Sequence, residues 1–134
     1  MTAAEAAQAA ETRFDDASIM ASHYAGVSRS NRNVNGQQVW GLETIRKRAE
    51  EIGGMLAENN GQATAESATL QKELDRQVEL TIKSEKLTKA EADSVREYAQ
   101  AAREKAKTKA ILNKTTAEAT REINKESIAQ EKEI

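Results

Sequence analysis

The sequence predicts an all-α fold of extended antiparallel helical hairpins, a coiled-coil-like bundle that is completed by oligomerisation. The chain has 134 residues, and alanine, glutamate, lysine, leucine and arginine together make up just over half of them, a share typical of long helices. It contains no proline, and its six glycines all lie before residue 62. Apolar residues recur at intervals of three and four residues, which is the period of an amphipathic helix.

Glycine and asparagine divide the chain into two predicted regions. Residues 1–61 hold two helices, at 2–26 and 37–59, separated by a polar loop at 28–37 with the sequence SRSNRNVNGQ. The first helix carries a narrow heptad seam, which is formed by Ala3, Ala7, Ala10, Phe14, Ala17, Ala21 and Tyr24.

The second helix has its apolar seam at Leu42, Ile45, Ala49, Ile52 and Leu56. Gly53 and Gly54 lie in its last turns, where glycine costs roughly 1 kcal/mol relative to alanine. We therefore expect a kink, early fraying or the close approach of a neighbour at this pair. Asn59, Asn60 and Gly61 can adopt the left-handed conformation that ends a helix.

Residues 62–134 form the second region, with helices predicted at 63–86 and 88–127 and a break at 86–88. The third helix bears a slanting stripe of Leu70, Leu74, Val78 and Ile82. Thr88 and Glu91 have the spacing of a capping box, which favours a new helix there. The alternative is one continuous rod of about 100 Å through both helices.

The fourth helix has a seam that changes phase along its length. Its first part is Ala92, Val95, Ala99, Ala102 and Ala106, and the spacing then slips near Lys109. The second part is Leu112, Thr116, Ala119 and Ile123.

The residue inventory argues against catalysis and against a cofactor or metal site. The chain has one histidine, His23, no cysteine and four aromatic residues. A metal site needs three or four ligands, and no helical spacing supplies them beside His23 and Asp16. No pair of acids has the apolar wall that would raise one carboxyl pKa for general acid work.

Charge balance argues against nucleic acid and membrane partners, because 20 basic residues nearly offset 22 acidic ones. A basic cluster does occur, at Arg103, Lys105, Lys107, Lys109 and Lys114. Its lysines point around the helix and no aromatic residue is interleaved for base stacking, so a solvated face is favoured over a phosphate-binding one. No stretch approaches the ~20 apolar residues of a membrane span.

The location of the protein is left open by the sequence. The N-terminus lacks the basic and apolar stretches of a secretory signal, so we expect a soluble protein, and export would require a route without a cleaved signal. A virion-internal, tail or secretion-filament subunit matches the composition in general character.

Trp40 is the residue that stands out by type. We expect its large side chain to cover the end of the bundle against the first helix or the long C-terminal helix, and the alternative is an interface hot spot.

The sequence is too poor in large apolar residues to fill a compact interior, so we expect the alanine seams to be buried between copies. It predicts a non-enzymatic structural subunit that self-associates. The alternatives are an adapter or chaperone for another helical protein and, third, a nucleic-acid packaging protein. The packing or interface positions are Phe14, Tyr24, Trp40, Leu42, Ile45, Ile52, Leu56, Leu70, Leu74, Val78, Val95, Leu112 and Ile123.

Overall fold

The computed structural model describes the backbone of residues 1–24 and 26–133 and the side chains of residues 1–22 and 26–124. The elements are α1 (Ala3–Tyr24), β1 (Arg32–Val34), β2 (Gln37–Val39), α2 (Leu42–Glu58), α3 (Ala65–Ser84) and α4 (Lys89–Glu133). The predicted all-α class is confirmed, and each of the four predicted helices forms.

The helices alternate in direction around α4. The ion pair between Arg96 of α4 and Glu79 of α3 (Nε to Oε1, 2.8 Å) lies near the turn that joins these two antiparallel helices. Arg13 of α1 pairs with Glu97 of α4, and the start of α1 lies beside a later part of α4, so this pair is antiparallel as well. Trp40, just before α2, bonds to Gln77 in the second half of α3, so α2 is antiparallel to α3 and runs in the direction of α4. The packed part of the molecule is therefore an up-down-up-down bundle.

The core closes within one chain, contrary to our expectation that the alanine seams are buried between copies. Ile45, Ile52, Leu74 and Val95 are its largest fully buried apolar residues. Alanines of the α1 and α4 seams complete it, and these are Ala17, Ala21, Ala99 and Ala102. Small residues fill this core because they let helices approach closely, which replaces large side chains by backbone proximity.

Gly53 is the clearest point of that close approach. A Cβ atom at this position would clash with the carbonyl oxygen of Arg103 and lie 3.0 Å from the Cβ of Ala106, both on α4. A Cβ at Gly54 would meet no atom within 4 Å. Of the three expectations for the glycine pair, the close approach of a neighbour is the one observed, and it occurs at Gly53.

The predicted start of the second helix at residue 37 is wrong, because residues 37–39 form a strand. β1 and β2 pair antiparallel, with Val34 opposite Gln37. The connecting residues Asn35 (φ 52°) and Gly36 (φ 81°) both have positive φ, as a two-residue type I′ hairpin requires. The Gly36 N–H also donates to Asn33 Oδ1 (2.9 Å), which fixes the turn.

The hairpin is fastened to α3 by two buried polar side chains. Gln77 accepts a hydrogen bond from the Trp40 N–H (3.0 Å) and donates one to the Gln38 carbonyl (3.3 Å). The Thr81 hydroxyl donates to the Trp40 carbonyl (2.9 Å). Gln77 and Thr81 therefore supply partners for both the N–H and the carbonyl of Trp40 where the chain enters the bundle.

The two C-terminal helices are separate, so the continuous rod does not form. Lys86 (φ 54°) ends α3, with the Leu87 N–H donating to the Ile82 carbonyl (3.1 Å) in the pattern of a Schellman motif. Both hydrogen bonds of the capping box then start α4, from the Thr88 N–H to the Glu91 carboxylate and from the Glu91 N–H to the Thr88 hydroxyl.

Candidate assembly surface

The C-terminal part of α4 continues past the bundle. At 1.5 Å per residue, the 45 residues of α4 span about 68 Å. Every side chain from Asn113 to Asn124 is exposed, and we name these residues the distal segment. A helix surrounded by water has only its own backbone hydrogen bonds to stabilise it. Because its side chains are exposed, the distal segment also has surface that a partner could bind.

An apolar line runs along the distal segment. Leu112, Thr116, Ala119 and Ile123 share one helix face, and we name them the distal stripe. Ile123 is 63% exposed, one of the few large apolar residues in the described part of the chain that are left to water. Leu112 is half-buried in a groove with Ala4 and Ala7 of α1.

The threonines of this region make the line less polar than their residue type suggests. The Thr116 hydroxyl donates to the Leu112 carbonyl (3.0 Å), and the Thr120 hydroxyl donates to the Thr116 carbonyl (3.0 Å). Since each hydroxyl proton is already bonded to the helix backbone, covering Thr116 would leave no donor without a partner.

The apolar seam of α4 changes its environment at the phase slip near Lys109. Before the slip, Ala92, Val95, Ala99 and Ala102 are buried in the bundle. After it, Thr116, Ala119 and Ile123 are exposed. Most of the seam that we expected to be buried between copies is therefore buried within one chain. The distal stripe is the part that remains open.

The basic cluster of α4 is divided among different neighbours. Arg103 donates to Gln71 of α3 (3.3 Å), whereas the Lys105 ammonium lies 4.3 Å from the ring centre of Phe14 on α1. Lys107 lies 4.0 Å from Glu104 on its own helix. These directions do not form the continuous basic strip that would follow a phosphate backbone.

The predicted packing positions fall into distinct environments. Buried in the core are Phe14, Leu42, Ile45, Ile52, Leu74, Val78 and Val95, and partly buried against it are Trp40, Leu56 and Leu70. Leu112 and Ile123 lie on the distal stripe, and the Tyr24 side chain lies outside the described residues, as does that of His23. Trp40 is held against α3 through its backbone, and the Arg48 guanidinium lies 5.9 Å from its ring centre.

A second open surface escaped the sequence reasoning. Ile19 and Met20 of α1 are 58% and 44% exposed, and Met20 lines a groove of about 570 Å³ between α1 and the start of α4. The ion pair of Arg13 with Glu97 borders this groove. The sequence signal for this surface was the adjacent pair Ile19 and Met20, which lie off the heptad seam.

The pKa shifts within the described residues come from burial and from ion pairs on the helix surfaces. Burial raises the pKa of the Tyr98 hydroxyl, whose ring packs 5.5 Å from that of Phe14. The hydrogen bond from Arg96 lowers the pKa of Glu79. Within the described residues, no three His, Cys, Asp or Glu side chains come together as a metal site would require.

None of the described helices combines the length and apolar character needed to cross a membrane. Comparison of the chain with known protein families, curated proteins and solved structures finds no match.

Proposed function

We propose that this protein is a non-enzymatic structural subunit that self-associates through the distal stripe of α4 to form part of a larger assembly. The observation that carries the proposal is the exposure of the distal segment on a helix whose earlier seam is buried in its own bundle. Burying apolar surface gains about 25 cal/mol per Å², and the exposed Ile123 is the largest single contribution available on this stripe.

A second copy fits the stripe because the helix around it carries both signs of charge. Lys114 and Arg121 alternate with Glu118 and Glu122 along the distal segment. A surface of this kind has little net field with which to select a strongly basic or strongly acidic partner, and it does not repel a copy of itself. The distal stripe thus favours association by packing.

The test is a matched pair of substitutions in the full chain. Ala119→Glu places a charge on the distal stripe, and Ala117→Glu places the same charge on the opposite side of the same helix. Sedimentation and light scattering over a concentration series should show wild type and Ala117→Glu growing in mass together. Ala119→Glu should weaken association by about tenfold or more, since each copy would bury an unpaired carboxylate.

Two results would count against the proposal. A wild-type chain that stays monomeric at all concentrations would refute self-association, and equal behaviour of the two variants would exclude the distal stripe as the contact.

The rival functions have their own signatures in the same samples. An adapter or chaperone would remain a small, constant species and gain helix content only when a helical partner is added. The groove beside Met20 is the surface that favours this rival. A nucleic-acid packaging protein would bind DNA or RNA with an affinity that falls steeply with salt.

A further inference from the structure

The chain contains two Asn-Gly sequences, and the turn of the hairpin is one of them. Asn35-Gly36 joins β1 to β2, and Asn60-Gly61 follows α2. In such a sequence the glycine nitrogen can attack the side-chain amide of the asparagine, because glycine has no side chain that hinders the approach. All four residues are exposed, and each pair is followed by a glutamine, so the two sequences have similar intrinsic reactivity.

The attack requires a glycine nitrogen that has lost its proton, and in both sequences a hydrogen bond holds that proton. The Gly36 N–H donates to Asn33 Oδ1 (2.9 Å). The Gly61 N–H donates to the Leu56 carbonyl (2.6 Å). While its N–H is bonded in this way, the glycine nitrogen keeps both its proton and its orientation. The reaction at either sequence therefore waits for one hydrogen bond to open.

The two acceptors differ in how easily they move away. The Leu56 carbonyl belongs to the backbone of α2, so the last turn of that helix must unwind before the Gly61 N–H is released. Asn33 offers an exposed side chain, which can rotate away within nanoseconds while the backbone stays in place. The strands beside it have three residues each and add little stability of their own. The Gly36 nitrogen is therefore released more often than the Gly61 nitrogen.

We propose that Asn35 is a site of spontaneous deamidation, and that the Asn33 side chain limits the rate by holding the Gly36 N–H. Water is the only reagent that this modification consumes. The proposal does not depend on self-association, because every residue that it uses lies in one hairpin.

The reaction proceeds through a cyclic imide. Hydroxide removes the proton of the Gly36 nitrogen, whose electron pair then forms a bond to the Asn35 Cγ. The bond from Cγ to Nδ2 breaks, and Nδ2 takes up a proton and leaves as ammonia. Water then opens the imide at one of two bonds. Cleavage between Cγ and the Gly36 nitrogen gives aspartate, and cleavage between the main-chain carbonyl carbon and that nitrogen gives isoaspartate.

The products change both the charge and the shape of the hairpin. Each of them adds a negative charge at position 35. Isoaspartate also lengthens the main chain of the turn by one carbon atom. A two-residue type I′ turn has a fixed length, so Val34 and Gln37 cannot keep their pairing in the isoaspartate product.

The choice of site can be tested in the unmodified full chain. Peptide mapping by mass spectrometry over a time course at mildly alkaline pH measures asparagine, aspartate and isoaspartate at positions 35 and 60. The folded chain should convert faster at Asn35 than at Asn60. In concentrated urea, where both hydrogen bonds are lost, the two sites should convert at similar rates. A folded chain that converts at Asn60 as fast as at Asn35, or faster, would overturn the choice of site.

A matched pair of substitutions tests the role of Asn33. Asn33→Ala removes the acceptor and should raise the rate at Asn35 by about threefold to tenfold, the factor expected for one lost hydrogen bond. Asn33→Asp keeps an acceptor oxygen in the same place and should react no faster than wild type. The rate at Asn60 should be the same in all three chains. Equal acceleration at both sites would mean that Asn33→Ala loosens the whole chain, which would overturn the local role of Asn33.

Hydrogen exchange of the Gly36 amide provides a readout that is independent of the products. Asn33→Ala should speed this exchange, and Asn33→Asp should not. If exchange becomes faster in Asn33→Ala while deamidation at Asn35 does not, release of the Gly36 proton does not limit the reaction, and the proposed role of Asn33 is wrong.

Discussion

Gly53 and Gly54 show how much one position along a helix can differ from the next. Both lie in the last turns of the predicted second helix, and glycine favours a helix less than any residue except proline. At Gly53 the backbone of α4 comes so close that a side chain would strike the Arg103 carbonyl, and at Gly54 the space is open. Sequence reasoning found the glycine pair but had no means of telling which member a neighbour requires.

Alanine substitutions at these two residues should therefore have opposite effects on stability. Gly53→Ala should lower the free energy of unfolding by about 1 to 3 kcal/mol, since backbone atoms of α4 cannot move aside as a flexible side chain would. Gly54→Ala should raise it by up to about 1 kcal/mol through helix propensity. Urea unfolding of both variants measures the difference, and equal effects would contradict the close approach of α2 to α4.

At the scale of elements, the hairpin is the part of the fold that the sequence analysis missed. The segment was interpreted as a loop because serine and asparagine dominate it. Asn35-Gly36, the strongest short-range signal for a two-residue hairpin, lies within it. The strands have three residues each, too few to show an alternating apolar pattern. Local turn chemistry determined this element, and periodicity could not reveal it.

The attachment of the hairpin to α3 gives the prediction at this scale. Gln77→Ala removes the partners of the Trp40 N–H and the Gln38 carbonyl, so it should lower the free energy of unfolding by about 1 to 3 kcal/mol. Trp40 is the one tryptophan of the chain, and its fluorescence should shift to the red as it gains contact with water. Gln100→Ala, at an exposed glutamine of α4, is the control that should change neither quantity. An unchanged emission maximum in Gln77→Ala would mean that other contacts hold Trp40 in place.

At the scale of the whole molecule, the sequence predicted the helices and their breaks but not which neighbours bury the apolar seams. Breaks at 59–61 and 86–88 follow from local chemistry, namely left-handed residues and a capping box, and both occur in the structure. The closure of the core depends on the distance between neighbouring helices. The spacing of residues along one helix does not reveal that distance. The count of large apolar residues underestimated a core built from alanine at close range.

The distal stripe was recognisable from the sequence as a seam out of phase with the one before it. That it is the open seam follows from the bundle, since the described side chains of α4 are exposed from residue 113 to residue 124. Self-association through it stays a prediction, now confined to a short part of one helix.

The division between a packed bundle and an exposed helix should be visible in thermal unfolding. The distal segment accounts for about a tenth of the helical residues and lacks the tertiary packing that stabilises short helices in water. In dilute solution, far-UV circular dichroism should therefore lose about this fraction before Trp40 fluorescence changes, because Trp40 reports on the bundle. At higher concentration, association should cover the distal segment, and the early loss should move toward the main transition. If the two signals coincide even in the most dilute sample, the bundle itself stabilises the distal segment, and our description of α4 as an unsupported helix is wrong.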